Sequence, residues 1–282
     1  MSEKNKKRTL WLLGMAGLCM LLYAIVASRV NATTDVILGG SDGAYVHSDS
    51  VHFTDTEATE TPEPTEDIWP DIDINLPQYS MVNNDRLLSS SYAPDVAQIP
   101  NTYMMFDAAA LPHLEALVQG LKDAGFTVYI GGAYRSYSYQ KERFDGKCYN
   151  IACEMGLDKV AEKKDVEVWL LDEYQEAVQK AKLYTMQPGS SEHQLGLAVD
   201  LYDKMYYAQV YEDMNQKFYA WLDEHCAEYG FIKRYPTRKL LLTGWDEPWH
   251  YRYVGVEAAT FIMENNLCFE EFYAHYVPDF EY

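Results

Sequence analysis

His193 and Asp200 lie seven residues apart in the run Pro-Gly-Ser-Ser-Glu-His-Gln-Leu-Gly-Leu-Ala-Val-Asp-Leu, and both are of types that ligate metals. The chemistry this suggests is zinc hydrolysis, in which nitrogen and carboxylate ligands converge on one ion at roughly 2.0–2.2 Å. Seven residues of extended strand would span roughly 23 Å, so the segment must fold back, and Gly196 is best able to supply the bend. After the bend, Leu197, Val199 and Leu201 alternate with Ala198 and Asp200. That pattern predicts a strand with its apolar side on a core and the carboxylate on the opposite face. Taken singly, the pair also fits a surface His and a strand-end Asp.

Two further stretches favour the metal. Glu247-Pro-Trp-His250 places a carboxylate three residues before another imidazole. A catalytic zinc site has three protein ligands and an open position, so His250 is the candidate third ligand and Glu247 the candidate base that deprotonates the attacking water. Ala133-Tyr-Arg-Ser-Tyr-Ser-Tyr-Gln140 follows a predicted strand over Phe126 to Ile130, so Arg135 sits just past a strand end, where functional side chains are often presented.

These stretches resemble the VanY-type D-alanyl-D-alanine carboxypeptidases and their L,D-carboxypeptidase relatives, zinc peptidases that trim peptidoglycan stem peptides. The patterns Tyr-Arg-Ser-x-x-x-Gln, Ser-x-His-x-x-Gly-x-Ala-x-Asp and Glu-x-Trp-His occur unbroken and in order at Tyr134 to Gln140, Ser191 to Asp200 and Glu247 to His250. The resemblance implies His193, Asp200 and His250 as zinc ligands, Glu247 as general base, and Arg135, Gln140 and Ser191 as substrate-binding groups. It extends over about Leu76 to Tyr273, with an interval between Gln140 and Pro188 that is long for the family.

The elements that must position these residues begin with a helix from about Leu111 to Ala124, with Leu114, Leu117, Val118 and Leu121 on one face and Gly125 as its stop. Residues 141–187 read as mostly helical, with a stripe of Val166, Trp169, Leu170, Tyr174, Val178 and Ala181. Another helix is predicted from Gln216 to Tyr229, ending at Gly230. Strands are predicted over Leu240 to Leu242 and Trp249 to Val254, flanking a turn at Gly244, and a final helix over Val256 to Asn265. The expected fold is α+β, a small antiparallel sheet carrying the zinc site and packed by helices.

Ahead of this domain, residues 1–8 are basic and residues 9–28 are apolar and uncharged, long enough to cross a ~30 Å hydrocarbon core. They predict a cytoplasmic tail and a transmembrane anchor with the C-terminal domain outside the cell, a cleaved signal peptide being the alternative. Residues 29–71 turn to Thr, Ser, Asp, Glu and Pro and predict a disordered linker, leaving 72–282 as the catalytic domain. The five cysteines do not form a disulfide scaffold, although Cys148 and Cys153 could pair. With 43 acidic against 23 basic residues, the net charge of −20 repels nucleic acid and calls for local positive charge wherever a carboxylate substrate binds. The expected activity is removal of a C-terminal D-alanine from stem peptides. L,D-carboxypeptidase, endopeptidase and noncatalytic wall-binding readings are the alternatives.

Overall fold

The computed structural model describes residues 69–157, 172–204 and 215–281, all within one compact unit spanning Glu66–Tyr282. The predicted tail and anchor, most of the predicted linker, and Val166, Trp169 and Leu170 of the helical stripe lie outside the described residues. In chain order the elements are β1 (Val96–Gln98), β2 (Met105–Asp107), α1 (Leu111–Asp123), β3 (Tyr129–Gly132), α2 (Tyr137–Glu154), α3 (Asp172–Ala181), β4 (Ala198–Tyr202), α4 (Gln216–His225), β5 (Phe231–Tyr235), α5 (Leu240–Thr243), β6 (Glu247–Tyr253), α6 (Val256–Glu264) and α7 (Phe269–Tyr276). β1 and β2 form a hairpin, and the other four strands form an antiparallel sheet in the order β3-β4-β6-β5. This is the α+β architecture expected.

α1 forms where the leucine periodicity indicates, burying Leu111, Leu114, Leu117 and Leu121. Asp107 holds its entry by accepting hydrogen bonds from the Ala109 and Ala110 amides, both at 3.0 Å. The strand expected over Phe126 to Ile130 pairs instead as Tyr129–Gly132. Phe126, Val128 and Ile130 do alternate onto the core, but partners on β4 begin only at Tyr129, opposite Tyr202. The described residues after Gln140 include the helices α2 and α3, which bury Tyr174 and Ala181 against Phe144, Cys148, Ile151 and Ala152. Cys148 and Cys153 are free thiols on α2.

Three expectations need correction. Leu240 to Leu242 is not a strand but the body of α5, ended by Gly244 at φ 73°. Three leucines are too short a run to show a period, no strand among the described residues pairs with them, and Leu241 is fully exposed. The helix over Val256 to Asn265 is not the last, because α7 follows and buries Phe269 and Phe272. The domain begins earlier than residue 72: the Trp69 ring, assigned to the linker, stacks on His275 at 3.8 Å and packs on Phe261, and Pro70 accepts a 2.6 Å hydrogen bond from Tyr276.

Cross-strand register shows how the sheet divides its two faces. Val199 pairs with Tyr251, and these two, with Leu201 and Phe231, bury into a core supplied by α1 and by Phe218 and Leu222 of α4. Asp200 pairs with His250, Ala198 with Arg252, and Ile232 with Arg252, so these residues share the opposite face. There α6 and α7 cover Ile232 with Ala258, Ile262, Phe269 and Phe272. All five residues of β4 are buried, since both faces are covered.

Candidate metal centre and cleft

Asp200 and His250 are direct neighbours across β4 and β6, and the third member, His193, sits in the short 3-10 turn Glu192–Leu195 that leads into β4. Gly196 closes that turn in the left-handed conformation, φ 79°, and supplies the fold-back that the spacing of His193 and Asp200 demands. His193 Nδ1 is 2.8 Å from the Ala133 carbonyl, which fixes the ring and leaves Nε2 facing Asp200 Oδ2 at 3.4 Å. His250 Nδ1 lies 3.2 Å from Asp200 Oδ1. One donor atom from each of the three residues falls within 4.8 Å of the others, and all three residues are buried. Two donors on a tetrahedral ion with ~2.1 Å bonds stand ~3.4 Å apart, so the spacing and the His-Asp-His donor set fit zinc.

The surroundings tune the charges. Burial, followed by the nearby Arg135 guanidinium, pulls His193 down to about 4, keeping it the neutral imidazole that a metal requires. For His250 burial acts downward too, but hydrogen bonds to Asp200 and Glu192 outweigh it and push the ring up to about 9. Burial also opposes charge on Asp200, yet His193 and His250 hold its carboxyl well below the usual range.

Glu247, the first residue of β6, comes within 3.7 Å of His250 Nδ1, and burial raises its carboxyl. A carboxylate so placed is disposed to accept a proton. Asp246, the carboxylate next to Glu247 in sequence, instead accepts a 2.9 Å hydrogen bond from Thr237 and lines a neighbouring cavity.

Arg135 reaches the same centre, its terminal nitrogen 3.0 Å from Asp200 Oδ2 and its amide bonded to the His193 carbonyl at 3.0 Å. Gly132, opposite Asp200 on β3, makes room for this contact, because a Cβ there would collide with both the Asp200 carboxylate and the Arg135 guanidinium. Ser136 caps α2 by accepting from the Tyr139 amide at 3.2 Å, so the residue after Arg135 also starts the helix that carries Gln140. Gln140 and Ser191 are buried in the cavity wall, and Gln140 donates a 2.6 Å hydrogen bond to the Met186 carbonyl.

The cavity of about 190 Å³ thus brings together all seven residues singled out in the sequence. It also includes residues that the motifs did not nominate: Arg143, Tyr184, Tyr202, Tyr235 and Glu192 line it, beside the motif's Trp249. Arg143 lies one helical turn beyond Gln140, a signal available from spacing alone. Tyr184 and Tyr235 carry no comparable signal.

A family model described as VanY, D-alanyl-D-alanine carboxypeptidase, matches residues 104–256. A D-alanyl-D-alanine carboxypeptidase of Enterococcus faecalis is 35% identical over 193 residues, 68% of this chain and 64% of the relative, so the chain spans just under two thirds of that protein's length. Among solved structures, the vancomycin-resistance D,D-pentapeptidase VanY in complex with Zn(II) superposes with a TM-score of 0.54 at 32% identity, covering 70% of this chain and 99% of that one. VanYB in complex with D-alanine-D-alanine gives the same TM-score and identity over 72% and 98%. The LdcB LD-carboxypeptidase gives 0.55 at 29% identity over 70% and 86%.

Proposed function

Because the chain belongs to the VanY family of D-alanyl-D-alanine carboxypeptidases, we propose that it is a zinc-dependent carboxypeptidase that removes the C-terminal D-alanine from peptidoglycan stem peptides. The observation that carries this reading is the meeting of His193, Asp200 and His250 with Glu247 and Arg135 in one polar cavity. Zinc held by the first three residues would supply Lewis acidity, polarising the scissile carbonyl and making water a better nucleophile. Glu247 takes the proton of the attacking water and passes it to the departing amine. Arg135, with its planar fork of donors, holds the substrate's terminal carboxylate, and Gln140 and Ser191 flank it. In a chain with a net charge of −20, a carboxylate substrate needs such a cation. The enzyme works outside the cell, tethered by the apolar run 9–28, with stem peptides as its partners.

The likeness to the LdcB LD-carboxypeptidase makes cleavage after the third stem residue the second reading. Mass spectrometry of digested tetrapeptide, pentapeptide and cross-linked muropeptides separates the possibilities. Loss of one alanine from pentapeptides alone is expected. Trimmed tetrapeptides would establish L,D-specificity, and opened cross-links an endopeptidase. Amidating the terminal D-alanine, or Arg135→Lys, should cripple the reaction, whereas equal rates on acid and amide would move Arg135 to stabilising the oxyanion.

A further inference from the structure

Glu192, between the motif's Ser191 and His193, has a fully buried side chain whose two oxygens face different partners. Oε1 accepts a 2.7 Å hydrogen bond from Arg234 Nε and lies 3.0 Å from Arg252 Nη1. Oε2 faces His250 Nε2 at 3.4 Å. Since His250 turns Nδ1 toward Asp200, its two nitrogens look opposite ways, one into the metal-binding group and one onto Glu192.

The carboxylate is held from behind by a network that leaves it little freedom. Arg234 grips Glu270 of α7 through two hydrogen bonds of 2.9 and 2.7 Å. Arg252 donates to the Gln78 and Ser80 carbonyls at 3.0 and 3.2 Å, and both guanidiniums lie over the Phe269 ring. Burying two guanidiniums and two carboxylates is costly unless geometry and hydrogen bonding are good. A hydrophobic set of equal volume would fill the same space, so stability alone does not account for a carboxylate aimed at a ligand imidazole.

We propose that Glu192 is a positioning residue for the metal centre: it accepts a hydrogen bond from the Nε2–H of His250 and so leaves the Nδ1 lone pair for the ion, while Arg234 and Arg252 hold the carboxylate in place. The proposal rests on the zinc reading above. Outer carboxylates of this kind fix ring orientation and tautomer, and their loss typically weakens metal binding by ~10–100-fold.

The first test uses the zinc-loaded wild-type protein. Long-range proton–nitrogen correlation of its histidines should show His250 metal-bound through Nδ1, with a slowly exchanging proton on Nε2. Metal on Nε2, or an Nε2 proton exchanging at solvent rates, overturns the proposal. A wild-type protein that binds no zinc refutes the reading beneath it as well, so the two failures are distinguishable. The second test is Glu192→Gln, with zinc affinity measured by competition against a chromophoric chelator and folding checked by circular dichroism. A folded variant should bind zinc ~10–100-fold more weakly, and one that binds it with wild-type affinity sinks the proposal. If the variant does not fold, the histidine spectrum of the wild type decides.

Discussion

The two faces of the central sheet use the same strands for opposite purposes. On one, Val199, Leu201, Tyr251 and Phe231 meet α1 and α4 in an apolar core. On the other, the residues interleaved with these along β4, β5 and β6 run from the candidate metal ligands Asp200 and His250, through the buried charges of Arg234 and Arg252, to the apolar cover over Ile232. A strand's period of two lets one backbone serve both faces. The apolar face supplies rigidity, and the ionic face uses it to hold ligands that would repel or reorient one another in a softer frame.

If that division is right, substitutions on the two faces should separate function from stability. His250→Ala should have the largest effect on chemistry, stripping zinc and reducing turnover to background, while the apolar core is untouched. Zinc measured by atomic absorption at one equivalent after dialysis would remove His250 from the ligand set. Glu247→Gln should keep both zinc and the melting temperature yet lose ~10²–10⁴-fold in kcat, because the amide has the shape but cannot accept the proton. Near-normal turnover would displace the base role, and Asp246 could not inherit it without leaving its own cavity. The smallest effect on catalysis is expected from Leu201→Ala on the opposite face. Removing a fully buried leucine costs ~2–5 kcal/mol of stability, read from the urea midpoint, with zinc content unchanged under native conditions. Loss of zinc in that variant would mean that the two faces are coupled more tightly than their separate packing indicates.

The candidate metal ligands could be picked out because each lies in a short motif whose spacing is local, and the structure brings them together. His193, Gly196 and Asp200 belong to one turn and strand, and the alternation of Val199 and Leu201 with Asp200 identifies the inward face. The network behind them was not legible. Arg234 is 42 positions from Glu192 and 36 from Glu270, and a sequence such as Phe-Ile-Lys-Arg-Tyr with two cations suggests solvent rather than interior. The same composition concealed β5. α5 was misread because leucines without a visible period fit either element, and its helical state follows from the turn chemistry around Pro236 and Gly244. Trp69 escaped because it closes an acidic, Pro-containing stretch whose composition says linker, whereas its ring belongs to the second core.

Asp200 and His250 stand opposite each other on adjacent strands, so their separation is set by the interstrand hydrogen-bond spacing of ~4.7–4.9 Å rather than by a loop. The conformational entropy of these two side chains is lost when the sheet forms, before any ion arrives. An entering cation therefore has little left to organise, and its binding free energy appears as affinity and selectivity instead of as folding. If His193, Asp200 and His250 hold zinc, chelator treatment is expected to remove the ion while the protein stays folded, unlike small metal-dependent domains that unravel under a chelator.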